Sequence, residues 1–273
     1  MLVTVDTGGT KTLVASFSED GKLGTQIKFA TPKTTAEYVK LLTETLIKEY
    51  GDKEVEALVI AIPGIIKNGV AVWCNNLKWT NFDVKAAFKG VLGNTPILVE
   101  NDANLAGLAE ARSLHSTPPF VLYVTVSTGV GTGIITNGQI DPSLRWGQGG
   151  LAILEYDGVL RQWESFASGK AIAKVYHKLG RDIHNKRTWY QIADRISRGL
   201  LALIPSMQPN TIIIGGSMGV YFDQYGEALS NILREKLPSH IPLPKIVQAK
   251  HPEQAVIYGC YYYALDNLAD SPA

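Results

Sequence analysis

The sequence predicts an α/β fold in two lobes, and three observations carry that reading. Apolar strand-like runs alternate with amphipathic helical stretches along the whole chain, which calls for sheets covered by helices. A strand, a Thr/Gly turn, a second strand and an Xaa-Gly turn occur twice. The first copy is "MLVTVDTGGTKTLVASFSEDGK" and the second "FVLYVTVSTGVGTGIITNGQ". No Ser- or Pro-rich linker divides the halves, so the lobes are expected to pack around a central cleft. One lobe takes 1–117 with a returning C-terminal helix within 254–273, and the other takes 118–253.

Element by element, Val39, Leu42 and Leu46 give the stretch 34–50 a helical apolar face. Strands are expected at 55–62 and 97–100, and a helix at about 103–114. After the second hairpin, 165–178 and 188–204 read as helices, 210–216 as a buried strand and 220–237 as an amphipathic helix. A strand near 245–249 leads to a closing helix at 254–268.

With 273 residues, 45% of them hydrophobic, the chain has the material for a large core. A formal net charge of +1 without a basic run points away from nucleic acid and from anionic membrane surfaces. The apolar stretch 56–66 is too short to cross a bilayer and is interrupted by Pro63 and Gly64. The first residues already read as a strand, so no leader is expected and the reading is cytoplasmic. Cys74 and Cys260 exclude a disulfide framework and a four-thiolate zinc site.

Glycine is the informative excess. "DTGGTKT" (6–12) lies between two strands, so it is not the strand–loop–helix phosphate loop. A hairpin turn of this kind holds phosphate by backbone N–H groups at Gly8, Gly9 and Thr10, with Thr7, Thr10 and Thr12 as hydroxyl donors. Charge sets Asp6 against direct phosphate contact and suits it to Mg²⁺ through water. Lys11 either reaches a phosphate or sits on a solvated edge. The second copy, "STGVGTG" (127–133), offers Thr128, Gly129 and Gly131 in the same way. A third glycine loop, "IIIGGSMG" (212–219), places Gly215 and Gly216 where a nucleotide base and ribose could lie against backbone. In "LVENDANLAGLAEAR" (98–112), a carboxylate and an amide stand where a strand gives way to a helix. Asp102 there is either a helix cap or a reactive group. Glu100 reads as structural, Glu110 as a solvated helix residue, and the five His as surface or packing groups.

Together with "AIPG" (61–64), "NLKW" (76–79), "ENDAN" (100–104) and "ESFASGKAI" (164–172), these loops resemble the ROK family within the actin-like sugar kinases. The resemblance implies an actin-like ATPase (ribonuclease H-like) fold, a homodimer, and ATP with Mg²⁺ acting on a sugar. It assigns the role of general base to Asp102 and sugar contacts to Asn101 and Glu164. It also places Gly64 at a close backbone approach to sugar and Asn76 at the mouth of the site, with Trp79 there or in the core. The sequence departs from the family at "GQGGLAIL" (147–154), where Gln148 and Leu151 replace a Glu and a His and no Cys follows. No zinc site is therefore expected. Gln148 keeps a neutral hydrogen-bonding contact to sugar, and Leu151 either fills space or meets an N-acetyl methyl. The resemblance implies a glucokinase making the 6-phosphate, with an N-acetylglucosamine, N-acetylmannosamine or fructose kinase as alternatives. A sugar-responsive repressor of the family carries a helix-turn-helix before the first loop, which here begins at Asp6, and a non-catalytic sugar binder is opposed by Asp102 and the three loops.

Overall fold

A computed structural model describes residues 1–251 and 254–269. The expected lobe edge at 252–253 and the chain end at 270–273 lie outside the described residues. The chain forms two compact units that part between Ala109 and Glu110. The first takes up the described residues from 254 on.

In the first unit, β1 (Leu2–Thr7), β2 (Lys11–Phe17) and β3 (Leu23–Ala30) form an antiparallel meander. The helix α1 (Thr35–Tyr50) follows. Thr34 caps it, accepting the Glu37 N–H at 3.2 Å while its hydroxyl donates to the Glu37 carboxylate at 2.8 Å. The buried stripe of α1 is Tyr38, Leu42, Leu46 and Tyr50. It keeps the expected Leu42 and Leu46 but takes Tyr38 in place of Val39, because the Tyr38 ring packs against Trp79, Phe82 and Phe88. The strand β4 (Ala57–Ile62) then runs parallel to β1. Next come β5 (Ile65–Lys67), β6 (Val70–Cys74) and β7 (Trp79–Asp83), a small sheet of their own, and the short helix α2 (Val84–Phe88). The strand β8 (Ile97–Asn101) pairs parallel with β4 and passes directly into α3 (Asp102–Arg112). The main sheet has the order β3-β2-β1-β4-β8.

The second unit repeats the plan. Strands β9 (Phe120–Val126), β10 (Val130–Thr136) and β11 (Gln139–Ile140) form the antiparallel part. A hairpin of β12 (Ile153–Tyr156) and β13 (Val159–Gln162) follows. Helices α4 (Glu164–Ala167) and α5 (Gly169–Tyr176) replace the single expected helix at 165–178, because Ser168 breaks out of helical geometry and caps α5 through the Ala171 N–H. The long helix α6 (Lys186–Met207) leads to β14 (Thr211–Gly215), α7 (Gly216–Gly219), α8 (Phe222–Lys236) and β15 (Lys245–Gln248). The second sheet, β11-β10-β9-β14-β15, matches the first strand for strand in order and direction. The internal echo in the sequence is thus a repeat of sheet topology.

The last helix, α9 (Ala255–Ala269), returns to the first unit. Its Gly259 is required, because a Cβ there would stand 1.9 Å from the Leu105 carbonyl oxygen of α3. Tyr258 and Tyr261 pack their rings against Phe17. Both cysteines are buried and free.

Glu110 overturns its expectation. It is 1% exposed, and its carboxylate accepts the backbone N–H groups of Lys250 at 2.6 Å and His251 at 2.7 Å. Residues 103–111 of α3 are buried on every side, so a charge placed among them must find donors. Glu110→Gln keeps the shape but has one acceptor oxygen for two N–H groups. It should cost about 2 kcal/mol, read as a lower urea midpoint with faster amide exchange at residues 250 and 251.

Candidate active site

The strand–helix junction at residues 100–104 divides its polar work clearly. Asn101, not Asp102, caps α3, because its Oδ1 accepts the Asn104 N–H at 3.0 Å. The other end of the same amide donates to the Gly64 carbonyl oxygen at 2.8 Å. Glu100, 2% exposed, accepts from the Asn101 N–H and from Asn104 Nδ2, both at 2.8 Å, and so stiffens the junction. Asp102 is released from capping. One of its oxygens accepts the Ala103 N–H at 2.8 Å.

Gly64 is fixed by its backbone. Its φ is +101°, and a Cβ would stand 2.1 Å from the Trp73 carbonyl oxygen. The close approach that demands glycine is therefore to β6. Trp79 is a core residue, 3% exposed, with Nε1 donating to the Lys33 carbonyl. Asn76 is exposed, and its Cβ lies 3.5 Å from where a Cβ on Gly9 would be, which sets it beside the first glycine turn.

That turn closes through the Gly8 N–H to the Lys11 carbonyl at 2.9 Å. Gly8 has no room for a side chain, since a Cβ would meet the Lys11 carbonyl oxygen at 2.9 Å. Thr31 braces the turn from β3's end, donating its hydroxyl to the Gly8 carbonyl and its N–H to that of Thr10. Its hydroxyl proton being used, Thr31 Oγ1 accepts from Thr12 at 2.9 Å. Thr7 is tied to the Tyr38 hydroxyl at 2.7 Å. Two of the three expected threonine donors are thus internal struts, and Thr10, with Gly9 and Lys11, is the exposed tip. Nothing in the spacing of the motif marks Thr31 or Tyr38 as its supports.

Asp6 and Asp102 stand within each other's electrostatic reach. Burial raises Asp102 to about 6, with the Ala103 N–H pulling it back. Burial, and then the charge of Asp102, raises Asp6 to about 7. Two carboxylates short of a counter-charge are a donor set that fits a hydrated divalent cation, which would relieve both.

In the second unit, the second glycine turn closes through the Ser127 N–H to the Gly129 carbonyl at 2.9 Å, with Thr128 exposed at its tip. Gly131 lies in β10 opposite Thr125, one step outside the turn. Glu164, first residue of α4, leans on this turn. Its Oε2 accepts the Val130 N–H at 3.4 Å and fills the position of a side chain on Gly129, at 2.6 Å. The third loop meets the same end of β9. Gly216, φ +75°, lies against Thr125 and the Val126 carbonyl, and Gly215 against the Tyr123 hydroxyl. Gly169 abuts the Ser127 carbonyl and Ser217. These are close backbone approaches within the unit, at which a Cβ would collide with the neighbouring strand end.

Gln148 is partly exposed and donates to the Gly147 carbonyl at 3.2 Å. The following Gly149–Leu151 turn lies flat on β10, its Gly149 N–H bonded to Thr132 Oγ1. A Cβ on Gly150 would stand 1.9 Å from the Val130 carbonyl oxygen. Where the family pattern has its cysteine cluster, this chain has the β12–β13 hairpin, closed by Asp157 (φ 54°) and Gly158 (φ 74°). Among the described residues no group of three or more His, Cys, Asp or Glu is placed to hold a metal ion.

Two sheets of one topology, each opening on a glycine-closed hairpin, define an actin-like α/β fold. The family profile of ROK matches residues 2–267, and the chain belongs to the ROK family. A polyphosphate glucokinase of Mycobacterium tuberculosis is 26% identical over 83% of this chain and 81% of its own. An N-acetylmannosamine kinase of Yersinia pestis is 28% identical, covering 97% of this chain and 99% of its own. Among solved structures, a ROK family glucokinase from Streptomyces griseus, in complex with glucose and AMPPNP, superposes with a TM-score of 0.81. Its identity is 21%, over 97% of this chain and 99% of that one, a likeness of fold.

Proposed function

We propose that this ROK sugar kinase transfers a phosphoryl group from ATP to the 6-hydroxyl of a hexose, glucose foremost, with Asp102 as general base. The observation that carries the reading is the division of labour at the junction. Asn101 caps the helix, which leaves the carboxylate beside it free to take a proton. A base near 6 is ionised at neutral pH and still basic enough to share a hydroxyl proton as the oxygen attacks.

The functional lobes in this reading are 1–117 with the C-terminal helix, and 118–253. Asn101, Gly64 and Asn76 line the hexose side of the first, and Gln148 and Glu164 add hydrogen bonds from the second. Gly8, Gly9, Thr10 and Lys11, with Thr128, Gly129 and Gly131, hold phosphates. Gly215 and Gly216 hold the nucleoside, and Asp6 holds Mg²⁺ through water. Bound with ATP, the cation supplies neutralisation of charge on the transferring phosphoryl group. Backbone N–H donors fixed in a closed turn suit charge developing on phosphoryl oxygens, because they need little reorganisation. Glu164 shares the Val130 N–H with any phosphate there, and like charges repel, so its free oxygen is better used on a sugar hydroxyl.

A second acceptor, an N-acetylhexosamine, is supported by the apolar Leu151 and by the likeness to the N-acetylmannosamine kinase over nearly the full chain. Polyphosphate as donor is supported by the mycobacterial relative. A coupled assay of ADP release with glucose, mannose, fructose, N-acetylglucosamine and N-acetylmannosamine tests the acceptor, and sugar phosphate formed from polyphosphate tests the donor. Turnover highest with glucose and ATP is expected. No turnover with any pair would reject the kinase reading.

A further inference from the structure

Away from the glycine turns, the second unit contains a cavity of about 260 Å³ lined by Tyr156, Tyr176, Tyr190, Gln191, Asp194 and Arg195. It lies among the β12–β13 hairpin, α5 and α6. Its chemistry is uneven. The Arg195 guanidinium sits 5.0 Å from the Tyr156 ring centre and 5.8 Å from that of Tyr176. Its one hydrogen bond to protein among the described residues is from Nη1 to the Phe166 carbonyl, and its buried Nε has none. Asp194, the lining carboxylate, is already matched by Arg198 at 3.0 Å and by Lys236 at 3.9 Å. Asp157, on the β12–β13 turn, is the other carboxylate acting on Tyr156. Positive charge is therefore in excess at the cavity wall, with Arg195 lacking a carboxylate partner among the described residues. Around it stand neutral groups suited to a polyol. Gln191 and the Tyr176 hydroxyl, 3.1 Å apart, offer amide and phenol contacts, and Tyr190, 54% exposed, presents a bare ring. An aromatic face, amide and phenol groups and an unmatched guanidinium suit a hydroxylated ring carrying an anion.

We propose that this cavity is a second ligand site, binding a small phosphorylated polyol of hexose phosphate size through Arg195, with Tyr190 against its carbon face. The identity of that ligand as the enzyme's own product class rests on the kinase reading; the cavity itself does not. Occupancy bears on catalysis through one short route. Arg195 holds the Phe166 carbonyl, Phe166 stacks on Tyr156 at 4.3 Å, and both ends of that contact steady α4, which carries Glu164. A ligand that draws the guanidinium outward loosens this hold.

The test is calorimetric titration of the full chain with glucose 6-phosphate, glucose and inorganic phosphate, in wild type and in Tyr190→Ala, Arg195→Gln and Arg195→Lys. The expected result is a glucose 6-phosphate component at least about tenfold tighter than either fragment. Tyr190→Ala and Arg195→Gln should weaken it roughly tenfold or more, and Arg195→Lys should restore part. Tyr190 is exposed, so its loss leaves the fold intact and keeps the test decisive should Arg195→Gln unfold. Binding unchanged in Tyr190→Ala and Arg195→Gln, or phosphate alone binding as tightly as the ester, would overturn the proposal. So would a Tyr190→Ala change in sedimentation mass with the ligand component intact, which would make the cavity a contact between copies. A cavity-dependent component in a chain that phosphorylates no sugar would keep this site and reject the kinase reading; turnover without such a component would do the reverse.

Discussion

Asp102→Asn should retain the fold and the affinity for sugar while turnover falls by roughly two orders of magnitude or more. The substitution keeps shape and keeps an oxygen to accept the Ala103 N–H, so the start of α3 is undisturbed. The cap is undisturbed as well, since it belongs to Asn101. What disappears is the ability to take a proton from a hydroxyl as it attacks phosphorus. Removing the charge also relieves Asp6, whose proton affinity Asp102 raises, so the variant should be no less stable than wild type near neutral pH. Equilibrium binding of the sugar, the turnover number and the thermal midpoint, measured together, separate this from a structural effect. A cap lost at Asp102 would instead lower the midpoint and leave the chemistry in proportion.

Gly64→Ala should be the most damaging small substitution near the site. Two penalties add. A non-glycine residue at φ +101° is strained by about 1–3 kcal/mol. Its Cβ would also drive into the Trp73 carbonyl at 2.1 Å and against Cys74 Cα at 3.0 Å, both backbone atoms of β6 that cannot swing aside. A total near 3 kcal/mol or more is expected, lowering the thermal midpoint by about 5–10 °C. Because the Gly64 carbonyl receives the Asn101 amide, the shift should also disturb the junction and reduce turnover in the molecules that remain folded. Gly90→Ala is the control. Gly90 has φ +83° with nothing within 4 Å of a Cβ, so only the strain applies and a loss of about 1 kcal/mol is expected. Equal losses at the two positions would remove the argument from close approach.

The sequence was most legible where one local rule sufficed. Alternating periodicity gave the main strands and helices, and the repeated hairpin disclosed a topology that recurs strand for strand. The sheet of β5, β6 and β7 was missed, as was β3, because "LGTQIKFA" is mixed in character and mostly on the surface, and "VAVWC" is short. Glu110 read as solvated because a helix's polar residue is usually on its wet face, and α3 has none over 103–111. At the site, residue types were readable and their partners were not. Whether Asn101 or Asp102 caps α3 depends on a one-residue difference in where the helix starts, and both residue types can cap. The duties of Thr7 and Thr12 depend on Tyr38 and Thr31, which stand in other elements. The β12–β13 hairpin, which stands where the family pattern has its cysteine cluster, was not read, although "YDGV" is a turn signal.

The pH dependence of kcat/KM in wild type and Asp102→Asn tests the central claim most directly. A carboxylate raised to about 6 must be ionised to act, so activity is full above that pH and is lost as pH falls through it. Asp6, raised to about 7, broadens the upper end of the limb, since the two titrate as a pair. The expected result is an acid limb in wild type between about 6 and 7, and in Asp102→Asn a residual rate whose limb has lost the Asp102 component and lies at lower pH, since Asp6 keeps the upward push of burial and loses that of the Asp102 charge. The same limb at the same pH in both proteins would assign the proton to another group and contradict the account.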